Sequence, residues 1–336
     1  MKTYLAFDVG GTFTKYALIT EAGEVVEKSK YPTAIEGENA NKEYFAAGIE
    51  NIYRQYKDKV EIIGIAISMP GQIDVENGIV YGGGALPFLH EVEVGKLISE
   101  RCDGIRVALE NDGKCAALAE VWKGNAKDAK DACVLIIGTA VGGGVIIDRK
   151  VHRGKRMLAG EFSYCLSDMT RDMVDDVIPI ETAGGVLGAF EKMPYLTSSS
   201  ASAAGLCYKA AKLKNVPYSE MSGELIYKLA SEGDEDMINI LEDLYFCIAK
   251  LCVNLYITID ADVILIGGGI SAEPKFVEGI RKYVDKIRTM GSILSEIKID
   301  TCKFRNDSNL LGAVYNFNQL YDSYQYSLVV NTASME

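Results

Sequence analysis

Short apolar runs alternate along the chain with segments whose apolar residues recur at helical spacing. A strand, a tight turn and a returning strand are predicted over residues 5–19, and the same pattern recurs over residues 134–147. Because strand and helix patterns alternate, the sequence predicts an α/β fold. Helices are predicted at 41–58, 91–101, 201–214, 222–231, 234–258, 273–288 and 308–322, and a strand is predicted at 297–304.

Both predicted turns consist of small and hydroxyl residues. The first contains Gly10, Gly11 and Thr12, and the second contains Gly138 and Thr139. Glycine lets backbone N–H groups approach a bulky anion that a Cβ would block. The repeated pattern favours two similar half-domains that face one polyphosphate, although each turn alone also fits an ordinary hairpin.

Two well-known phosphate motifs are absent from these turns. The segment from Gly138 to Gly143 has P-loop spacing, but Gly144 follows it where a P-loop has lysine. The first turn also lacks the Gly-x-Gly-x-x-Gly pattern of dinucleotide-binding proteins. The sequence therefore disfavours both of these classes.

Composition limits the partners and the cellular compartment. A length of 336 residues favours two domains, and the net charge of -12 disfavours nucleic acid as a partner. The N-terminus does not resemble a signal peptide, and no apolar run reaches the roughly 18 residues of a membrane span. The eight cysteines form no Cys-x-x-Cys motif, and the chain has two histidines. We expect a cytoplasmic protein with reduced thiols, no membrane association and no zinc site.

Two aspartates follow apolar strands at glycine-flanked corners. Asp112 is the candidate general base, because phosphoryl transfer to a hydroxyl needs a base within hydrogen-bond reach. The alternative is that Asn111 and Asp112 cap a helix that begins at Lys114. Asp8 lies beside the first glycine turn, where a carboxylate could hold Mg²⁺ through water. Its alternative role is to form the turn.

Two further segments carry candidate binding residues. Glu161 lies in an irregular stretch, where its carboxylate could bind sugar hydroxyls or simply remain solvated. Gly268 and Gly269 stand between a strand and a helix, where the backbone could approach a base or ribose. An ordinary turn after the strand is the alternative.

Taken in order, these segments resemble the ROK family (repressor, open reading frame, kinase) of sugar kinases, within the actin-like ATPase superfamily. The match runs nearly end to end, and no single motif decides it. Asp8-Val9-Gly10-Gly11-Thr12-x-x-Lys15 resembles the family's first phosphate motif, and Gly138-Thr139-x-x-Gly142-Gly143-Gly144 its second. Met69-Pro70-Gly71 resembles its Pro-Gly loop, and Glu110-Asn111-Asp112 its catalytic loop. Ala159-Gly160-Glu161-Phe162 resembles its sugar-binding segment, and Ile266-Gly267-Gly268-Gly269 its adenosine motif.

The resemblance implies a fold with two actin-like, ribonuclease H-like lobes, each with a mixed sheet, and an ATP and sugar cleft between them. Residues 1–112 with 308–325 would form the smaller N-terminal lobe, and 113–307 the larger C-terminal lobe. Residues 326–336 would be a flexible tail. We also expect a homodimer.

The resemblance also implies a role for each motif residue. Asp112 would be the general base, and Asp8 would organise Mg²⁺ through water. The sugar would contact Asn111, Glu161, Gly71 and Tyr164. ATP would contact Asp8, Gly10, Gly11, Thr12, Lys15, Gly138, Thr139, Gly268 and Gly269.

The sequence departs from the family pattern in three ways. Ser163-Tyr164 replaces the usual Gly-His, whose histidine binds sugar and structural zinc. The cysteine-rich zinc segment is absent, since residues 165–182 contain only Cys165. In the family's sugar loop an asparagine precedes Leu-Pro, and Ala85, before Leu86-Pro87, stands at that position here. With these departures the sequence resembles the zinc-free branch of the family, which includes β-glucoside kinases. The identity of the sugar stays open.

The expected activity is therefore ATP-dependent phosphorylation of a hexose or hexose derivative, of glucose or β-glucoside type. A catalytically inactive sugar sensor of the same fold is the alternative, and an actin-like scaffold is a third class. Asp112 favours the kinase, because a sensor has no need of a base. A scaffold would need neither the catalytic loop nor Glu161.

Overall fold

A computed structural model of the protein describes residues 2–304 and 307–333, with side chains described as far as residue 321. The chain divides into two compact units. The first comprises Met1–Lys127, Val151–Ala159 and Asn306–Glu336, and the second comprises Asp128–Lys150 and Gly160–Arg305.

The first sheet is built around the strand that begins the chain. Strand β1 pairs antiparallel with β2 and parallel with β4, and the sheet order is β3-β2-β1-β4-β7, with β5 and β6 as a separate hairpin. The strands are β1 (Lys2–Val9), β2 (Phe13–Thr20), β3 (Val25–Pro32), β4 (Glu61–Met69), β5 (Gln72–Asp74), β6 (Ile79–Tyr81) and β7 (Val107–Asn111).

The second sheet repeats this arrangement. Its order is β10-β9-β8-β11-β12, and the central strand β8 again pairs antiparallel with the next strand and parallel with β11. Its strands are β8 (Ala132–Ile137), β9 (Val141–Ile147), β10 (Lys150–His152), β11 (Val263–Gly267) and β12 (Ile299–Thr301). The predicted α/β class with a mixed sheet in each half is confirmed.

The helices cover the sheets with apolar faces. They are α1 (Lys42–Tyr56), α2 (Val94–Arg101), α3 (Asp112–Lys123), α4 (Gly185–Lys192), α5 (Thr197–Ala201), α6 (Ala203–Lys214), α7 (Gly223–Ser231), α8 (Glu235–Ile259), α9 (Pro274–Ile287) and α10 (Ser308–Ala333). Helix α1 shows how sequence sets a boundary: Asn41 caps it by accepting the N–H of Tyr44. Its buried face includes Phe45 and Ile49, four residues apart.

Helix α10 packs closely on α3 in the first unit. A Cβ at Gly312 would overlap the carbonyl of Cys115, so this contact depends on glycine. The ring of Tyr315 stacks on Trp122 with centroids 5.5 Å apart. This pairing places α3, and with it the residues at its N-terminal end, firmly within the first unit.

Several elements differ from the sequence predictions. The hairpin of β5 and β6 was not predicted, and the strand predicted over 297–304 is reduced to Ile299–Thr301. Helix α10 continues to Ala333 instead of ending at 322, while residues 334–336 of the predicted tail lie outside the described residues. The first compact unit includes α3 and 151–159, which the sequence-based division at 112 and 307 assigns to the other lobe. The functional lobes stay a prediction.

Candidate active site

The two glycine turns occupy equivalent places in the two sheets. Each follows the central strand, and each is closed by one backbone hydrogen bond: Gly10 N–H donates to the Phe13 oxygen at 3.1 Å, and Gly138 N–H donates to the Ala140 oxygen at 2.9 Å. Thr12 and Thr139 are exposed in these turns. The structure therefore places the predicted phosphate-binding residues at matching edges of matching sheets.

Asp8 lies at the end of β1 with both carboxylate oxygens hydrogen-bonded. Its Oδ2 accepts from Lys15 Nζ at 3.0 Å, directly across the hairpin, and its Oδ1 accepts from Asn309 Nδ2 at 2.9 Å. Each oxygen retains a second lone pair. With Lys15 and Asn309 already on its two oxygens, Asp8 leaves room for a water-mediated contact with Mg²⁺, and this role stays a prediction.

Asp112 is the first residue of α3, and Asn111 is its N-cap. The Asn111 Oδ1 accepts the Lys114 N–H at 3.1 Å, which is the capping bond that the sequence allowed. Asp112 itself is half-buried, and its Oδ1 accepts the Gly113 N–H at 2.8 Å. The helix begins at Asp112 instead of Lys114, so the cap belongs to Asn111 and leaves Asp112 in the first turn.

The Pro-Gly loop lies against the same strand end. The Asn111 Nδ2 donates to the Gly71 oxygen at 3.1 Å, so one side chain links α3 to this loop. Gly71 has φ +109°, and a Cβ there would lie 3.1 Å from the Gly82 oxygen. A Cβ on Gly11 would lie 3.3 Å from the Cβ of Ala85. The first phosphate turn, the sugar loop and the predicted base thus come together in the first unit.

The strand residue before Asn111 carries a buried charge. Glu110 is 1% exposed, and its Oε2 accepts from Arg153 Nε at 2.8 Å. Its Oε1 accepts the Asn111 N–H at 2.8 Å. Arg153 lies in the irregular stretch before Glu161 and is not among the predicted site residues.

In the second unit, the predicted sugar-binding segment packs on β9. Gly160 has φ +85°, and a Cβ there would lie 3.0 Å from the Cα of Gly144. The hydroxyl of Ser163 accepts the Val141 N–H at 2.9 Å, which ties the segment to the strand after the second phosphate turn. Glu161 is half-buried beside it, and Tyr164 is 56% exposed.

The predicted adenosine motif meets the second phosphate turn. Gly268 has φ +94°, and a Cβ there would overlap the Ile137 oxygen at the end of β8. The next residue in the chain, Gly138, accepts the Ala203 N–H of α6 with its carbonyl oxygen at 3.0 Å. Space around Gly269 is open, with no atom within 4 Å of a Cβ built there. The structure therefore brings Gly138, Thr139, Gly268 and Gly269 together.

Two observations bear on metals and membranes. Among the side chains described in residues 2–304 and 307–321, no group of three or more His, Cys, Asp or Glu could hold a metal ion. Among the helices that the structure describes, none combines the length and apolarity of a membrane span.

Asn309 and Arg153 are the site residues that the sequence did not reveal. Each contacts a motif residue from far along the chain, Asn309 across 301 positions and Arg153 across 43. Neither has a recognisable local pattern. A polar residue at the start of a helix and an arginine before a glycine are too common to predict such contacts.

Comparison with known proteins decides the family. The family model described as "ROK family" matches residues 4–319. The chain belongs to the ROK family.

Its ROK relatives include enzymes that act on sugars. A β-glucoside kinase of Listeria monocytogenes is 30% identical over 315 residues, covering 94% of this chain and 97% of the relative. A glucokinase of Halalkalibacterium halodurans is 27% identical and covers 80% of each chain. The crystal structure of a ROK family protein from Streptococcus pneumoniae in complex with sucrose has a TM-score of 0.78 and 27% identity, covering 96% of this chain and 99% of that one.

Proposed function

We propose that the protein is an ATP-dependent carbohydrate kinase that phosphorylates a hydroxyl of a hexose or hexose derivative, of glucose or β-glucoside type. The observation that carries this proposal is the placement of Asp112 at the start of α3 in a chain of the ROK family. The preceding residue, Asn111, is hydrogen-bonded to Gly71 of the Pro-Gly loop. Relatives named as kinases of glucose and of β-glucosides support the same reaction class.

In this reaction, Asp112 accepts the proton of the sugar hydroxyl as the oxygen attacks the γ-phosphorus of ATP. The bond from that phosphorus to the bridging oxygen breaks, and ADP leaves with the electron pair. Positioning supplies most of the catalysis in phosphoryl transfer, and the base contributes the proton acceptor. Asn111, Glu161, Gly71 and Tyr164 bind the sugar.

The phosphates of ATP are bound by backbone donors and hydroxyls of the two turns. These residues are Gly10, Gly11, Thr12, Gly138 and Thr139, with Lys15 beside the first turn and with Gly268 and Gly269 near the adenosine. Mg²⁺, held by Asp8 through water, would neutralise charge on the phosphates. We also propose that the protein is a homodimer and that it is located in the cytoplasm.

A coupled ADP-release assay tests the activity. We expect turnover with MgATP and either glucose or cellobiose, with less from N-acetylmannosamine and fructose. If no sugar stimulates ADP release although sugar binding is measurable by calorimetry, the chain is a sensor and the kinase proposal is wrong. At present no observation favours the sensor, whose site would not need Asp112.

A further inference from the structure

An ion pair with a buried carboxylate supports the strand end that carries the proposed base. Oε2 of Glu110 accepts a hydrogen bond from Arg153 Nε at 2.8 Å, and Arg153 Nη2 lies 2.7 Å from the same oxygen. The Glu110 side chain is 1% exposed, and that of Arg153 is 30% exposed. Charge-assisted contacts of this kind are stronger than neutral hydrogen bonds, and they neutralise the carboxylate.

The oriented carboxylate fixes the backbone next to Asp112. The other oxygen of Glu110 accepts the Asn111 N–H at 2.8 Å. Asn111 in turn caps α3 and donates to the Gly71 oxygen. A change in the Glu110 side chain would therefore reach the base and the Pro-Gly loop together.

Arg153 is held on two further sides. Its Nη2 also donates to Asn316 Oδ1 at 2.9 Å, and Asn316 donates from Nδ2 to the Leu109 oxygen at 3.1 Å. The Arg153 carbonyl accepts the Ala159 N–H at 3.1 Å, which closes the loop that leads directly into Gly160 and Glu161. The Arg153 side chain thus contacts the end of β7, and its backbone closes the loop that precedes Gly160 in the chain.

Stability alone does not explain this arrangement. Replacing a buried ion pair with apolar residues of similar volume is often neutral or stabilising, because the desolvation of two charges offsets their attraction. The ion pair and the hydrogen bonds around it define the geometry at the end of β7 and at Ala159. A role in positioning these residues accounts for the arrangement.

We propose that Arg153 is a positioning residue for phosphoryl transfer, which sets Asp112 through Glu110 and sets the Glu161 segment through its own loop. This inference rests on the proposed function of Asp112 as the base. It predicts a joint effect on kcat and on the KM of the sugar, with little effect on the KM of ATP.

The test is Arg153→Met, assayed with glucose or cellobiose, whichever is the better acceptor. We expect kcat to fall about 10²-fold, the loss typical of a 1 Å misplacement, and the sugar KM to rise several-fold. The ATP KM should stay within about threefold. The matched control is Arg101→Met, in the same unit, whose 31% exposed side chain pairs with Glu43 and Glu50 and whose loss should leave kinetics unchanged.

Two further variants keep the test decisive if Arg153→Met does not fold. Arg153→Lys retains a cation but lacks the second nitrogen that contacts Oε2 of Glu110, and should show the same joint effect with a smaller loss of kcat. The double variant Glu110→Gln with Arg153→Met removes both charges of this pair, and should fold yet remain impaired. Circular dichroism and thermal unfolding establish the folded fraction of each.

Failure of this inference is distinguishable from failure of the proposed function. If Asp112→Asn abolishes turnover while folded Arg153→Met or Arg153→Lys matches wild type in kcat and sugar KM, Arg153 has no positioning role. A drop in folded protein with unchanged kinetics per folded molecule also overturns it. If Asp112→Asn stays active, the assigned base is wrong, and the positioning argument fails with it.

Discussion

The side-chain nitrogen of Asn309 lies 2.9 Å from Oδ1 of Asp8, and joins the start of the last helix to the end of the first strand. Lys15 occupies the other oxygen at 3.0 Å, so the carboxylate is held from two sides. A carboxylate that must hold a metal-bound water works best when it cannot rotate. We therefore expect Asn309 to affect the Mg²⁺ dependence that we propose for Asp8.

Replacing Asn309 with alanine should weaken the response to Mg²⁺. A hydrogen bond to a charged group contributes roughly 1.5–3 kcal/mol, part of which water would recover. We expect the Mg²⁺ concentration for half-maximal activity to rise about 3–10-fold at saturating ATP. The control is Asn254→Ala, an exposed asparagine on α8. An unchanged Mg²⁺ requirement in Asn309→Ala would contradict the role given to Asp8.

Asp112→Asn should abolish phosphoryl transfer while leaving ligand binding nearly intact. The substitution keeps the shape of the side chain but removes the proton acceptor, and general base catalysis contributes roughly 10²–10⁴-fold. Turnover is measured by ADP release, and binding of sugar and ATP by calorimetry. A variant that keeps more than about a tenth of wild-type turnover would show that another group is the base.

The protein should fold and work without zinc. Tyr164 stands where the family has its zinc-binding histidine, and Cys165 is the only cysteine in 165–182. The Cys165 carbonyl instead accepts both the N–H and the hydroxyl of Thr197, each at 2.9 Å. Elemental analysis of protein purified without added metal checks this. Stoichiometric zinc, with activity lost to a chelator and restored by zinc but not by magnesium, would rule the prediction out.

Buried thiols should make the fold sensitive to alkaline pH. Burial raises the pKa of Cys102 and of Cys133 from 9.0 to about 12, and both side chains are fully buried. Because the folded pKa lies above the unfolded one, the contribution to stability is complete below pH 9 and is lost as the pH rises towards 12. The free energy of unfolding should fall by up to about 1.4 kcal/mol per pH unit for each thiol.

Urea unfolding under reducing conditions between pH 8 and pH 10 measures this slope. Cys102→Ala should lower the free energy of unfolding at every pH, because it leaves a cavity. This free energy should fall less steeply with pH than in the wild type, because one buried thiol is missing. The comparison therefore uses the slope instead of the level. Equal slopes for the variant and the wild type would mean that Cys102 ionises alike in the folded and unfolded chain.

Local patterns were sufficient to predict the α/β class, the two glycine-turn hairpins and most helices, whereas the mixed sheets followed from the resemblance to the ROK family. The hairpins at 5–19 and 134–147 were predicted because apolar runs flank glycine turns, and α8 was predicted at 234–258 and observed at Glu235–Ile259. Strand β12 was overestimated because its apolar residues continue beyond its pairing with β11, which ends at Thr301. Pairing with a neighbour, and not composition, decided where that strand stops.

The candidate site was predictable only where its residues lie in contiguous motifs. Asp8 and Asp112 were identified because a carboxylate beside glycine after a buried strand is a local signal, and Asn111 was identified through the family resemblance of the segment that contains it. Asn309 and Arg153 act by meeting those residues through the tertiary fold. Their contributions follow from contacts that no window of sequence contains.

The first unit draws its parts from both ends of the chain, which sets an order for its assembly during synthesis. The ring of Phe317 lies 5.2 Å from that of Tyr4, and a Cβ at Gly64 would overlap it, so α10 covers a face that β1 and β4 leave open. At about 5–20 residues per second, the intervening second unit takes on the order of ten to forty seconds to translate. During that interval the face of the first sheet that α10 covers is exposed, although α1 can already pack on the sheet. We expect the newly made protein to need most protection from aggregation just before α10 emerges.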